Sequence, residues 1–136
     1  MKTLLLLFFM LGLSAAGCQN DDLQSLFGIT FHHSYEDDKE GMKAFRPDNY
    51  DFPPSRGRSG FRIEEGGTFT SLAIAPTDGI REVEGSWEVA RQDPLTIEVT
   101  LPDYDNPRAE KVRTMRWEIV SFTDSLLYVR PQEVNK

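Results

Sequence analysis

Apolar and polar residues alternate one by one along much of this chain, and this period of two constrains its fold more than any other feature. In the segment 95–101, four apolar side chains are separated by single polar residues, and segments 83–89 and 115–119 follow the same pattern. No segment after residue 22 keeps a helical period. Because successive side chains of a strand point to opposite faces, the alternation predicts half-buried antiparallel strands.

Turn-forming residues separate the alternating runs. The clearest are Gly66-Gly67, Gln92–Pro94 and Thr123-Asp124, while the segment from Pro47 to Gly60 is the longest irregular stretch. The runs between them amount to about eight strands, mostly joined by hairpins. We therefore predict an all-β domain, an antiparallel meander closed into a barrel, because closure leaves no exposed strand edge. An open β-sandwich is the alternative.

The N-terminus has the pattern of an export signal. Lys2 precedes ten residues without a polar side chain, Leu4 to Leu13, which is too short a run to cross a bilayer as a permanent helix. Small residues then lead directly to Cys18, the only cysteine in the chain. A free thiol at an exposed N-terminus is reactive, and a single cysteine forms no internal disulfide.

The run from Ser14 to Cys18 resembles the lipobox of bacterial lipoproteins. The resemblance implies cleavage before Cys18, a lipid anchor on its thiol and a place at the outer membrane, since Gln19 is not the aspartate that retains such proteins at the inner membrane. The acidic run 19–22 resembles the tag that exports some lipoproteins to the cell surface, and it equally suits a solvated linker. The predicted units are a signal peptide over 1–17, a lipidated linker over 18–25, a β domain over 26–131 and a tail over 132–136.

Charge and motif content narrow the classes of function. The formal net charge of −7 argues against a nucleic-acid partner, which needs a basic face. Lipidation of Cys18, as the lipobox resemblance implies, would make its thiol unavailable as a nucleophile, and the chain has no G-x-S-x-G or Ser-x-x-Lys motif. We expect neither an enzyme nor a cofactor.

Between residues 61 and 130 the chain has a series of short motifs: Phe61…Gly67-Thr68-Phe69, Gly85-Ser86-Trp87, Leu95-Thr96-Ile97 and Trp117–Val120 before Asp124–Leu127. In this order, the motifs resemble those of the small lipocalin-like domains of secreted bacterial lipoproteins. The resemblance implies a barrel that binds a small apolar ligand. Such a ligand would contact aromatic residues on the apolar strand faces: Phe61, Phe69, Trp87 and Trp117. The same residues also suit a solid core, because side chains from eight strands can just fill a barrel.

Arg56 and Arg58 flank Gly57 in the irregular segment Pro47–Gly60. Two guanidinium groups around a flexible glycine could hold a carboxylate or phosphate. Alternatively, they anchor the loop on backbone carbonyls or on the chain's own carboxylates. We expect anchoring, because the chain has 22 acidic residues.

His32 and His33 precede Glu36, Asp37 and Asp38 in the only cluster of histidines and carboxylates. Adjacent strand residues face opposite sides, so the two histidines cannot ligate one metal ion from a regular strand. We predict one inward histidine, one outward histidine, a solvated acidic turn and no metal site.

Two functions follow from these patterns. The first is a non-catalytic lipoprotein that is anchored to the membrane through Cys18 and binds a small apolar ligand in its barrel. The second is a cell-envelope module that contacts or inhibits another protein through the 47–60 loop, since exposed loops commonly carry function.

Overall fold

A computed structural model describes residues 22–77, 79–103 and 112–134 of the protein. Eight β-strands dominate these residues, and a single 3-10 turn, Tyr35–Asp37, joins the first two. The strands are β1 (Thr30–His33), β2 (Lys43–Pro47), β3 (Gly60–Ile63), β4 (Thr68–Ile74), β5 (Ile80–Gln92), β6 (Leu95–Pro102), β7 (Val112–Thr123) and β8 (Leu126–Gln132). The all-β prediction is confirmed.

The strands close into one antiparallel barrel in the order β1-β2-β8-β7-β6-β5-β4-β3, with β3 paired again to β1. The lipocalin-like, eight-stranded barrel is confirmed, and the alternative of an open sandwich is wrong. Consecutive strands pair as in a meander except at β2 and β3, which flank β1. Because both run antiparallel to β1, they run in the same direction and cannot be joined by a tight hairpin. Residues 48–59 make this connection across β1.

The hairpin between β7 and β8 turns one residue later than the predicted Thr123-Asp124, because Thr123 is the last residue of β7. Its two loop residues, Asp124 and Ser125, have φ angles of 52° and 62°. Two successive positive φ angles define the turn whose twist matches that of antiparallel strands, and Asp tolerates this conformation better than most residues. The chain therefore reverses within two residues.

Two strand glycines lie where neighbouring backbones approach closely. A Cβ atom on Gly60 would clash with the carbonyl oxygen of Phe31, and one on Gly85 would clash with that of Thr100. A strand glycine often marks a sharp bend in a barrel wall. Any side chain at these positions would push two paired strands apart.

The interior consists of apolar residues on the inward faces of the strands. On β6, Ile97, Val99 and Leu101 are buried as the alternation predicts, and Thr96 on the other face is buried as well. On β5, Val89 has the same parity as Trp87 but is 38% exposed. A register shift between Val89 and Arg91 interrupts the pairing there, so the regular alternation ends before the strand does.

One end of the barrel is closed by the N-terminal segment. Residues 22–26 form a helical turn whose Leu23 and Leu26 belong to the hydrophobic core. Leu26 is fully buried. The predicted linker over 18–25 includes Leu23, which the structure places in the core of the β domain. Leu23 lies between the polar residues Asp22 and Gln24, directly after the acidic run 19–22, so no apolar pattern marks it as a core residue.

The two ends of the barrel therefore differ. At the closed end lie residues 22–27 and the tight turns 64–67, 93–94 and 124–125. At the open end lie the connection 34–42, the turn between β4 and β5, the end of β6 and the start of β7. Strand direction fixes this division, because antiparallel neighbours alternate between the two ends.

Candidate functional site

A cavity of about 360 Å³ opens at the open end of the barrel. Phe61, Phe69 and Trp117, three of the four aromatic residues predicted to contact a ligand, line it. Other apolar lining residues are Phe45, Leu72, Ala73, Ile74, Leu101 and Met115. This volume lies at the lower end of the range for small-molecule sites, about 300–1,000 Å³.

Packed aromatic rings form the floor of the cavity. The rings of Phe61 and Phe69 are stacked with their centroids 5.6 Å apart. Trp117 meets both nearly edge-on, at 5.1 Å from Phe61 and 5.6 Å from Phe69. Phe45 contacts Phe61 edge-on at 4.9 Å. Offset-stacked and edge-to-face contacts are the favoured aromatic geometries, so the floor is a rigid apolar surface.

Trp87, the fourth predicted residue, does not line this cavity. Its indole N–H donates a hydrogen bond of 2.8 Å to the carbonyl oxygen of Glu64, and its ring lies 5.6 Å from that of Phe27. Both neighbours belong to the closed end. Trp87 therefore helps to seal the barrel below the cavity.

Polar groups surround the mouth of the cavity, and His33, Lys43 and Arg113 are its charged or titratable residues. Each lies on the inward face of its strand, two residues from a residue of the same face: His33 from Phe31, Lys43 from Phe45 and Arg113 from Met115. Sequence reasoning missed Lys43 and Arg113. Their inward position could have been predicted from the alternation, because each lies two residues before an apolar residue of the same face.

Arg58 anchors the 48–59 connection by bonding groups of the protein itself and does not form an open anion site. Its guanidinium donates two hydrogen bonds to the Glu36 carboxylate, at 2.8 and 2.5 Å, and one each to the carbonyl oxygens of His33 and Pro53. The aromatic rings of Tyr35 and Phe52 lie 4.5 and 4.7 Å from it. With four hydrogen bonds made and the side chain buried, Arg58 has little capacity left for a free anion.

Arg56 differs from Arg58 although it is only two residues away. It is exposed and makes no hydrogen bond or ion pair with any residue that the structure describes. Of the two arginines, it is the one whose guanidinium is open to an external partner.

The acidic turn after β1 is tied to the barrel rather than merely solvated. Asp37 accepts hydrogen bonds from Arg46 at 2.9 Å and from Ser34 at 2.7 Å. Asp38 accepts one from the backbone N–H of Ala44 and contacts the His33 ring nitrogen at 2.9 Å. These contacts, with the one between Glu36 and Arg58, hold the connection between β1 and β2 in place.

The ion pairs also lower the pKa values of two carboxyl groups in the turn. Hydrogen bonds from Arg58 lower the pKa of Glu36 from its ordinary 4.5 to about 2. Arg46, and secondarily Ser34, lower the pKa of Asp37 below its ordinary value. A hydrogen bond to the charged form of a carboxyl favours that form, so both carboxylates are ionised across the neutral range.

The two histidines lie in different surroundings. His32 packs edge-on against Phe52 of the 48–59 connection, and His33 lines the cavity mouth next to Phe45. Within the described ranges, no group of three or more His, Cys, Asp or Glu side chains is placed to hold a metal ion.

Cys18 and the run Leu4–Leu13 lie outside the described residues. Among the residues that are described, no helix has the length and apolarity needed to cross a membrane. Comparison of the chain with protein-family models, with curated proteins and with solved structures found no match.

Proposed function

We propose that this protein is a non-catalytic lipoprotein that binds a small, mostly apolar ligand in the open end of its barrel. The cavity carries the proposal. It combines a rigid aromatic floor with a few polar groups at the mouth, which is the usual composition of a small-molecule site. The opposite end is sealed by Leu23 and Leu26, so a ligand would enter and leave through one mouth.

The membrane anchor in this proposal rests on the sequence. An export signal that ends directly before a lone cysteine supports lipidation of Cys18, at the outer membrane. Acyl chains on Cys18 would hold the protein at the bilayer, since each buried CH₂ group contributes roughly 0.8 kcal/mol.

The anchor and the cavity together suggest an orientation. Asp22 borders the turn between β5 and β6 at the closed end, and it follows Cys18 by four residues. Four residues span at most about 14 Å. A lipid on Cys18 would therefore keep the closed end near the membrane, and the mouth would face away from it.

Lipid capture tests the proposed ligand. The full chain carrying Cys18→Ser is incubated with a lipid extract, re-purified and examined for retained species by native mass spectrometry. Ser71→Phe places a ring in the cavity, whereas Ser86→Phe places the same ring on an exposed position of β5. We expect a retained species that Ser71→Phe abolishes and Ser86→Phe keeps. Retention by both variants would place the binding outside the cavity, and loss from both would show that the effect of Ser71→Phe is not specific to the cavity.

Fractionation tests the anchor. Cys18→Ser removes the thiol but leaves the export run intact, so we expect a folded periplasmic protein that needs no detergent. If the variant remained entirely in detergent-requiring membranes, the lipoprotein proposal would be wrong.

The exposure of Arg56 favours a second candidate, an envelope module that contacts another protein through the 48–59 connection. Arg56→Ala tests it cleanly, because Arg58 is needed for the loop itself. Loss of a co-purifying protein with unchanged lipid retention would support this candidate over the first.

A further inference from the structure

The residues around the cavity differ in charge from the chain as a whole. The chain has 22 acidic and 15 basic residues, yet none of the described Asp or Glu residues lines the cavity. Its lining includes two full cations, Lys43 and Arg113, together with His33. Among the described residues, the lining of the cavity is therefore basic in an acidic protein, although the His33 ring contacts the Asp38 carboxylate of the neighbouring turn.

The two cations are available to a ligand. Both side chains are exposed, and neither forms an ion pair with a residue that the structure describes. They also border an adjoining groove that contains Glu133, but no ion pair links them to it. By contrast, Arg46, Arg58, Arg116 and Arg130 are all paired with carboxylates.

The position of the cations relative to the floor defines the shape of a ligand. Lys43 precedes Phe45 by two residues on the inward face of β2, and Arg113 precedes Met115 and Trp117 on that of β7. Both strands run from the open end towards the closed end. A molecule in the cavity would thus have its apolar part against the aromatic floor and its other end between two cations.

We propose that the ligand is an anionic amphiphile, with an apolar tail against Phe61, Phe69 and Trp117 and a carboxylate or phosphate head beside Lys43 and Arg113. This inference rests on the proposed function and adds the chemical class of the ligand. The overall charge of −7 opposes it only weakly, because exposed charges beyond about 8 Å are screened at physiological salt.

Ten-carbon probes that differ only in the head group test the charge preference. The full chain carrying Cys18→Ser is titrated by calorimetry with decanoate, decyl phosphate, decanol and decyltrimethylammonium. We expect the better of the two anions to bind about tenfold more tightly than the cation, as two partly exposed charge contacts would give. The two anions distinguish a fatty acid from a phosphate-headed lipid.

Variants locate the effect at the mouth. Lys43→Gln with Arg113→Gln should weaken the binding of the preferred anion about tenfold and leave the affinity for decanol unchanged. Lys39→Gln with Arg62→Gln removes the same charge from positions outside the cavity lining and should leave the affinities for both probes unchanged. Added salt should weaken the binding of the anion and leave that of decanol unchanged.

The outcomes separate this inference from the proposed function. Equal binding of anionic, neutral and cationic probes, or tighter binding of the cation, would overturn the charge preference and leave the apolar site standing. An unchanged anion affinity in the Lys43/Arg113 variant would overturn it as well. If none of the four probes bound, the proposed function itself would have failed.

Discussion

The two ends of the barrel are held by different kinds of interaction. At the closed end, Leu23 and Leu26 are buried in the core and Phe27 packs on Trp87. At the open end, charged tethers fix the connections, with Glu36 bound to Arg58 and Asp37 bound to Arg46. Polar tethers secure the loops without covering the aromatic floor. The open end can therefore be well ordered and still leave apolar surface for a ligand.

The largest expected effect of a substitution on the free energy of unfolding is at the closed end. Leu26 is fully buried, so Leu26→Ala removes apolar contacts and leaves a cavity, and we expect it to lower the free energy of unfolding by about 2–5 kcal/mol. Ile74→Ala, at a 52% exposed position of the open end, should cost less than about 0.5 kcal/mol. Urea denaturation measures both. Similar losses at the two positions would remove the contrast between the ends.

A smaller effect is expected from the tether of the 48–59 connection. Arg58→Met keeps much of the side-chain volume but removes four hydrogen bonds, and we expect it to cost about 2 kcal/mol. Arg56→Met, two residues away and exposed, is the matched control and should change stability by less than about 0.5 kcal/mol. An equal effect of the two substitutions in urea denaturation would show that Arg58 does not anchor the loop.

The smallest expected effect is a pH dependence confined to the open end. The pKa of Glu36 falls from 4.5 to about 2 on folding, so its ionised form stabilises the folded protein fully above pH 4.5. That contribution is lost as the pH falls from 4.5 towards 2.

Comparison with Glu36→Gln measures this contribution. The wild-type protein should be the more stable near neutral pH, and the difference should shrink steadily below pH 4.5. A difference that does not depend on pH would mean that the charge of Glu36 does not hold the turn.

The alternation of the sequence predicts the strands but not their position along the barrel. Trp87 and Trp117 both lie on apolar strand faces, yet only Trp117 lines the cavity. Parity states which face of the sheet a side chain occupies, whereas the strand register states how far it lies from each end. The register depends on pairing with other strands, which the sequence of one strand does not contain.

The ion pairs of the open end could not be predicted from the sequence for a related reason. Glu36 and Arg58 are 22 residues apart, and any of the chain's 22 acidic residues was a possible partner for Arg58. The pair forms because residues 48–59 cross β1, a connection that appears only once β1 is placed between β2 and β3. Lys43 and Arg113, in contrast, could have been identified from their parity with Phe45 and Met115.

The indole N–H groups of the two tryptophans can show whether a ligand binds at the open end, since Trp117 lines the cavity and Trp87 lies towards the closed end. In heteronuclear NMR spectra of the full chain carrying Cys18→Ser, decanol is added in steps and both indole signals are followed. We predict that the Trp117 signal shifts and saturates, while the Trp87 signal, held by the carbonyl of Glu64, stays in place. A shift of Trp87 alone, or equal shifts of both signals, would contradict a ligand site at the open end.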